Sequence, residues 1–301
     1  MSTLKQFNYL IRIVEDGGFI AASEKLFVAQ SALSRQIKLL EDELGFLIFD
    51  RSEKKVKLTA AGQVLYKNLK NHLHNIGHSI EQAQSMAQGR GRTIRVAHSS
   101  SVIIDQTKIG LLNQLCQRYA VEVEINRLSS ELQVESLLSG SIDIGFIRPP
   151  VLHSLEGIQT AHLYQAALCV AVHCDDPTFK GKHSIQLSEL AQHHFVATPH
   201  AKRGGLSYLA ANLCLSKGFY PKEAKIRSRK ISQLDLVAHG LGVCIVPEEF
   251  NSILPSKVKL LAIDACGHFS EVLLIWRKEQ DSTIESCVGQ ILQYYQNKLE
   301  A

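Results

Sequence analysis

Several things are missing from this chain, and each absence removes a class of protein. No stretch supplies the 18 or more continuous apolar residues a membrane helix needs. The N-terminus reaches Arg12, Glu15 and Asp16 before any long apolar run, unlike a secretory signal, so a cytoplasmic protein with no membrane contact is expected. Proline is scarce, 7 in 301 residues, while 45% of the residues are hydrophobic, which marks a globular chain long enough for two or more domains. Seven cysteines (Cys116, Cys169, Cys174, Cys214, Cys244, Cys266 and Cys287) include no CxxC pair. Most sit in apolar runs such as AALCVAV and GVCIVP, which suits reduced, packed thiols better than a redox switch through Cys169 and Cys174 or through Cys214. The histidines are scattered: His193 and His194 are adjacent, and of His72, His74 and His78 only the last two are spaced i, i+4, so no metal site is expected. GxSxG, HExxH and GxxxxGK[ST] are all absent, and Gly240-Leu241-Gly242 lacks the third glycine of a dinucleotide fingerprint. No catalytic residue can be nominated, and an enzyme is not expected.

Acid is also missing from one particular surface. In FIAASEKLFVAQSALSRQIKLLEDE, two short helices joined by a tight turn are predicted over Phe19–Glu43. Leu33, Ile37 and Leu40 mark the buried side of the second, leaving Gln30, Ser31, Ser34, Arg35 and Lys38 outward, with no acidic residue before Glu41. Amide, hydroxyl and guanidinium groups suit base edges and phosphates of the major groove, although a merely solvated polar face has the same composition. The charge distribution favours the groove. Residues 1–92 hold 13 Lys+Arg against 9 Asp+Glu, hence +4, whereas the other 209 residues hold 20 of each, hence zero.

Leu4–Val14 should form a helix behind this pair, ended by Asp16-Gly17-Gly18. After it, Lys55-Val56-Lys57-Leu58 alternates basic and apolar, the pattern of a strand, and a small hairpin carrying Arg51, Lys54, Lys55 and Lys57 would serve as a wing touching phosphates. From Thr59 the period becomes helical. Leu65, Leu69, Leu73, Ile76, Ile80, Ala83 and Ala87 form a heptad-like seam suited to a dimerising helix, ended by GRGRT. Beyond residue 92, strands and helices alternate, which argues for α/β layers with largely parallel sheets in two subdomains and a cleft between them. Ser99, Ser100 and Ser101 follow one strand, Ser129 and Ser130 a second, Arg148 a third, and Thr198, Pro199 and His200 a fourth. These strand ends could converge on a ligand, and the serines with Arg148 lean toward a small organic acid; helix caps and a surface ion pair would explain them equally. Lys202-Arg203-Gly204-Gly205 is a basic glycine loop at a helix start that could close over an anion.

The opening residues GGFIAASEKLFVAQSALSRQIKLLEDELGFLIFDR and then KVKLTAAG resemble the winged helix-turn-helix of LysR-type transcriptional regulators, nearly position by position. The likeness continues more loosely through LLSGSIDIGFIRPP, LSELAQHHFVAT and VAHGLGVCIVP. It implies an all-α winged helix-turn-helix with a small β wing over residues 1–59 and a dimerising linker helix over 60–88. An α/β effector-binding domain similar to periplasmic binding proteins follows over 89–301, with subdomain I at 92–161 and 269–301 and subdomain II at 162–268. It further implies promoter DNA as partner, a homodimer or homotetramer, RNA polymerase as the next partner, and control by a small effector without a cofactor. Gln30, Ser34 and Arg35 take the positions of the family's DNA contacts, and Ser99, Ser129 and Thr198–His200 those lining its cleft. The chain departs from the family at Ala29 and Ser31, where Ser and Pro are usual, so the serine cap of the recognition helix is missing. A solute-binding transport protein would share the α/β halves but would have no use for the basic helix pair.

Overall fold

A computed structural model describes residues 3–50, 56–88, 91–197, 204–228, 232–264 and 268–300. The chain divides into two compact units at Gln84/Ser85.

In the first unit, α1 (Leu4–Glu15) starts with a reciprocal cap in which Gln6 N–H donates to the Thr3 hydroxyl and the Gln6 side chain accepts from Thr3 N–H. Then come α2 (Phe19–Leu26), α3 (Gln30–Leu44), the two-residue strands β1 (Phe49–Asp50) and β2 (Lys57–Leu58), and α4 (Ala60–Ala87). Tyr9, Leu10 and Ile13 of α1 meet Ala22 of α2 and Leu33, Ile37 and Leu40 of α3 in one core closed by Ile48 and Phe49. Glu41 is buried, and its Oε1 accepts from Ile48 N–H at 2.8 Å and Phe49 N–H at 3.1 Å, fixing the entry into β1. Thr59 ties the start of α4 to the same corner: its hydroxyl donates to Leu47 O at 2.7 Å and accepts from Gly62 N–H at 3.0 Å. A β-carbon on Gly62 would lie 2.1 Å from Ile48 O, so that contact admits glycine alone.

The seam on α4 divides in use. Leu65 and Leu69 pack against the core of their own unit. Leu73 is half-buried, while Ile76 and Ile80 remain 41% and 53% exposed. The expectation of one intermolecular row from Leu65 to Ile80 therefore narrows to its C-terminal part, because the first two leucines already close the helix-turn-helix.

The second unit begins β3 (Arg92–His98), α5 (Gln106–Tyr119), β4 (Val121–Arg127), α6 (Ser130–Leu138) and β5 (Ile144–Ile147); the three strands are neighbours in one sheet, with β3 between and parallel to both β4 and β5. The long β6 (Ile158–His173) follows, then β7 (Ser184–Ile185), β8 (His194–Phe195), α7 (Leu206–Ser216), β9 (Lys222–Glu223), α8 (Ser232–Ala238), β10 (Cys244–Pro247), β11 (Val258–Ile263), β12 (Phe269–Arg277) and α9 (Ser282–Glu300). The strand order is β4-β3-β5-β12-β6-β11-β7, with β10 on the other side of β6 and β8 paired separately with β9.

The sheets are mixed, which corrects the expectation of a largely parallel arrangement. β12 runs antiparallel to β5 and β6, and β6 antiparallel to β10 and β11. The cause is β6 itself. Ile158–Ala167 pairs with β12, and Leu168–His173 continues between β10 and β11, so one strand belongs to both halves and the chain must cross back along it. It runs through the expected 161/162 boundary without a break. On one side of this crossing, Ile94, Val96, Leu111, Leu115, Phe146, Leu274, Ile284 and Ile291 form a core. On the other, Val170, Val172, Phe179, Phe195, Leu213 and Ile245 form a second.

Candidate nucleic-acid interface and ligand cavity

Helix α3 presents the face expected of it. Leu33, Ile37 and Leu40 are fully or almost fully buried, and Gln30, Ser31, Ser34, Arg35 and Lys38 are exposed. No hydrogen bond or ion pair ties Arg35 or Lys38 to other described residues. Ala29 is the N-cap and gives no side-chain bond, and Ser31 does not replace the missing serine. The first amides of α3 are thus left for a partner outside the unit. The first acidic residue of the helix, Glu41 in its last turn, is turned inward to the β1 corner. β1 and β2 pair as Phe49↔Leu58 and Asp50↔Lys57, the base of the expected wing, while Arg51, Lys54 and Lys55 lie outside the described residues.

In the second unit a cavity of about 440 Å³ opens among the ends of the strands. Ser99, Ser100 and Ser101 line it from the loop after β3, and Ser129 from the start of α6. Their hydroxyls are partly engaged: Ser99 and Ser101 lie 3.0 Å apart, and Ser129 caps α6 by accepting from Leu132 N–H at 3.2 Å. The loop is propped from beneath by His98, whose Nδ1 donates toward Ser99 O at 3.0 Å and Val102 O at 2.8 Å. Burial holds this histidine below its ordinary value, so the ring is neutral.

Other lining residues lay outside the prediction. Glu131 and His153 bring polar groups beside the already named Ser130; Phe195, Leu206, Ile245 and Phe250 bring an apolar wall, and Gln233 an amide from α8. Phe195, Ile245 and Phe250 could be recognised only as apolar core, because nothing in a strand's pattern says which end of it faces a void. Among the described residues no lysine or arginine lines the cavity. Gly204 and Gly205 do line it, and the fit is tight. A β-carbon on Gly204 would lie 2.2 Å from Pro150 O and 2.3 Å from Glu131 Oε1, and Gly205 N–H donates to Pro150 O at 2.7 Å. Thr198, Pro199, His200, Lys202 and Arg203 lie outside the described residues.

Arg148 is a correction. It is fully buried and is not part of the cavity wall. Its Nη1 donates to Ser270 O at 3.1 Å and to the Ser270 hydroxyl, and its Nη2 to Ser101 O at 2.9 Å and to Glu249. Glu249 in turn accepts from the Tyr164 hydroxyl at 2.8 Å, and Tyr164 stacks on Tyr295 with centroids 5.5 Å apart. Burial raises Tyr164 well above the ordinary phenol range. Both Nη groups are engaged and only the buried Nε lacks a partner among the described residues, so no Nη pair is left for a ligand; the guanidinium fastens the Ser101 loop, β12 and the turn at Glu248–Ile253 to the end of β5.

Burial acts on four of the thiols. Desolvation pushes Cys214 up to about 12 and Cys287 up to about 11, and Cys169 and Cys244 upward as well, so these groups stay protonated and unreactive. Cys266 lies outside the described residues. Among the described residues no helix is long and apolar enough to cross a membrane, and no group of three His, Cys, Asp or Glu could hold a metal.

A helix-turn-helix with a free polar face, joined to a mixed α/β unit with a cavity among its strand ends, defines a ligand-responsive DNA-binding regulator. Residues 4–63 match the bacterial regulatory helix-turn-helix of the lysR family, and residues 87–296 match the LysR substrate binding domain. The chain belongs to the LysR family of bacterial transcriptional regulators, which are DNA-binding regulators with an effector-binding domain and not enzymes. It is 30% identical to the transcriptional regulator BenM of Acinetobacter baylyi, over 97% of this chain and 96% of that one. It is 27% identical to AlsR of Bacillus subtilis, over 93% and 92%. Among solved structures, full-length CbnR complexed with its target DNA superposes with a TM-score of 0.73 at 25% identity, covering 97% of this chain and 99% of that one. Full-length BenM superposes with a TM-score of 0.58 at 26% identity, covering 98% and 97%.

Proposed function

We propose that α3 enters the major groove with Gln30, Ser34 and Arg35 on base edges and Ser31 and Lys38 beside the phosphates. Arg51, Lys54 and Lys55 of the wing add phosphate contacts, and the cavity holds the effector that changes promoter occupancy or activation. The observation that carries this is the outer face of α3, where five polar or cationic side chains are exposed and the first acid of the helix, Glu41, is turned inward. The cavity suits a small organic acid through the hydroxyls at Ser99–Ser101 and the start of α7, where Gly205 leaves the helix without a side-chain cap. Thr198, Pro199 and His200, at the end of the fourth strand, would complete its wall. Arg148 leaves this set and becomes a positioning residue. Ile76 and Ile80, with Leu73, offer the dimer contact, and a homotetramer built from such dimers acts on RNA polymerase at cytoplasmic promoters.

The test is a footprint of the full chain on DNA upstream of its own and neighbouring genes, with and without metabolite extract. Two protected half-sites whose pattern changes with extract are expected. Arg35→Ala should weaken binding by about 1–3 kcal/mol with the fold intact. Binding by that variant equal to the parent's would remove Arg35, and an unchanged pattern with every extract would remove the effector's control.

A further inference from the structure

The most exposed large apolar side chain among the described residues is Phe27, at 95%. It ends α2 in the left-handed region, with φ 54° and ψ 43°; its N–H turns back to Glu24 O and Ser23 O, and Val28 N–H donates to Ser23 O at 3.1 Å. This is the helix stop that glycine ordinarily makes, since a β-carbon there crowds the following carbonyl. One other non-glycine described residue, Ala120, has positive φ, and it carries only a methyl group. Phe27 combines two unfavourable features: a bulky residue where glycine fits, and an aromatic ring left in water. Nothing within its own unit compensates for either.

Its place supplies the compensation. Phe27 is the second residue before the N-cap Ala29, in the turn that leads into Gln30 and Ser31. In helix-turn-helix modules the N-terminal residues of the second helix meet the base edges, so this turn lies at the rim of the major groove. There the one apolar group on any base edge is the thymine C5-methyl, which phenylalanine contacts directly.

We propose that Phe27 is a further DNA-contacting and specificity-determining residue, its ring packing on a thymine methyl at the edge of each half-site. The proposal rests on the placement of α3 in the groove. An apolar contact of this kind adds selectivity for thymine without neutralising a phosphate, so it leaves the salt dependence of binding alone. Ile20, 69% exposed, lies seven residues earlier on α2, and the exposed Glu24 falls between them in sequence. A carboxylate three residues before the ring disfavours a phosphate close to it.

The experiment uses full-length protein and the duplex that the parent protects, read by fluorescence anisotropy. Phe27→Asn keeps a residue at ease in the left-handed region and removes the ring, so its thermal midpoint should equal or exceed the parent's. Its DNA affinity should fall about tenfold with an unchanged salt slope, and Phe27→Leu should recover part of the loss. Replacing thymines by uracil one at a time should reveal a position where losing the methyl weakens the parent several-fold and leaves Phe27→Asn unaffected. Parent-like affinity in Phe27→Asn overturns the proposal, as does a loss insensitive to every thymine replacement. A change of oligomeric state with normal affinity would assign the ring to a protein contact and overturn it too. Arg35→Ala measured alongside separates the levels: if it also binds like the parent, the placement of α3 fails; if it alone loses affinity, only the role of Phe27 falls.

Discussion

Replacing Arg148 by methionine would test whether a buried cation can be structural in a domain whose sequence offers it as a ligand group. The side chain is 0% exposed, and Glu249 opposite it is 15% exposed, so the pair sits largely outside water. Removing one member leaves the other charge desolvated, at a cost of about 3–5 kcal/mol. It also deprives Ser101 O and Ser270 of their donor. At about 2–4 °C per kcal/mol for a unit of this size, the second unit should melt roughly 6–20 °C lower. The assay is scanning calorimetry of the full chain, in which the first unit's transition serves as internal reference. Glu249→Gln added to Arg148→Met removes the stranded charge and keeps an oxygen for the Tyr164 hydroxyl, so the double variant should be more stable than the sum of the singles by about 1–3 kcal/mol. Single losses below about 1 kcal/mol, or strict additivity, would refute the clamp and return Arg148 to the list of ligand groups.

Two further outcomes follow from the same packing. His98 is held below its unfolded value of 6.5, so it disfavours protonation of the folded chain. Its contribution is fully present above that value and is lost as pH falls toward and through the lower folded value, with a slope of up to about 1.4 kcal/mol per pH unit. Urea midpoints between pH 8 and pH 5 should therefore fall less steeply in His98→Gln, and parallel slopes would contradict this. On α4, Ile76→Asp with Ile80→Asp should lower the oligomeric state by light scattering without moving the melting of the first unit. Leu69→Asp should instead destabilise that unit itself by about 1–3 kcal/mol, because Leu69 packs on its core. Intact oligomers in the double aspartate variant would take the contact elsewhere.

Local physics was enough to place the elements that matter to DNA. Leu33, Ile37 and Leu40 at helical spacing dictate which side of α3 is inward, and whatever remains must face out, so the exposed set proposed to read DNA could be named before any fold was known. The serines after β3 and β4 were legible for a similar reason: strand ends in alternating α/β chains collect at one edge. What local pattern could not supply was the destination of each side chain over distance. Phe27 looks like an ordinary apolar residue until its left-handed backbone leaves it in solvent, and Leu69 looks like the rest of its seam until the core of the first unit takes it. Arg148 follows a strand as a ligand residue would. Its partners Glu249 and Ser270 lie 101 and 122 residues away along the chain, and only the return of β12 alongside β5 and β6 brings them together. The periodic contacts of a helix or strand are made within a few residues and are written in the spacing. Ion pairs and cavities are made between segments, and only the closing of the tertiary structure decides which segments those are.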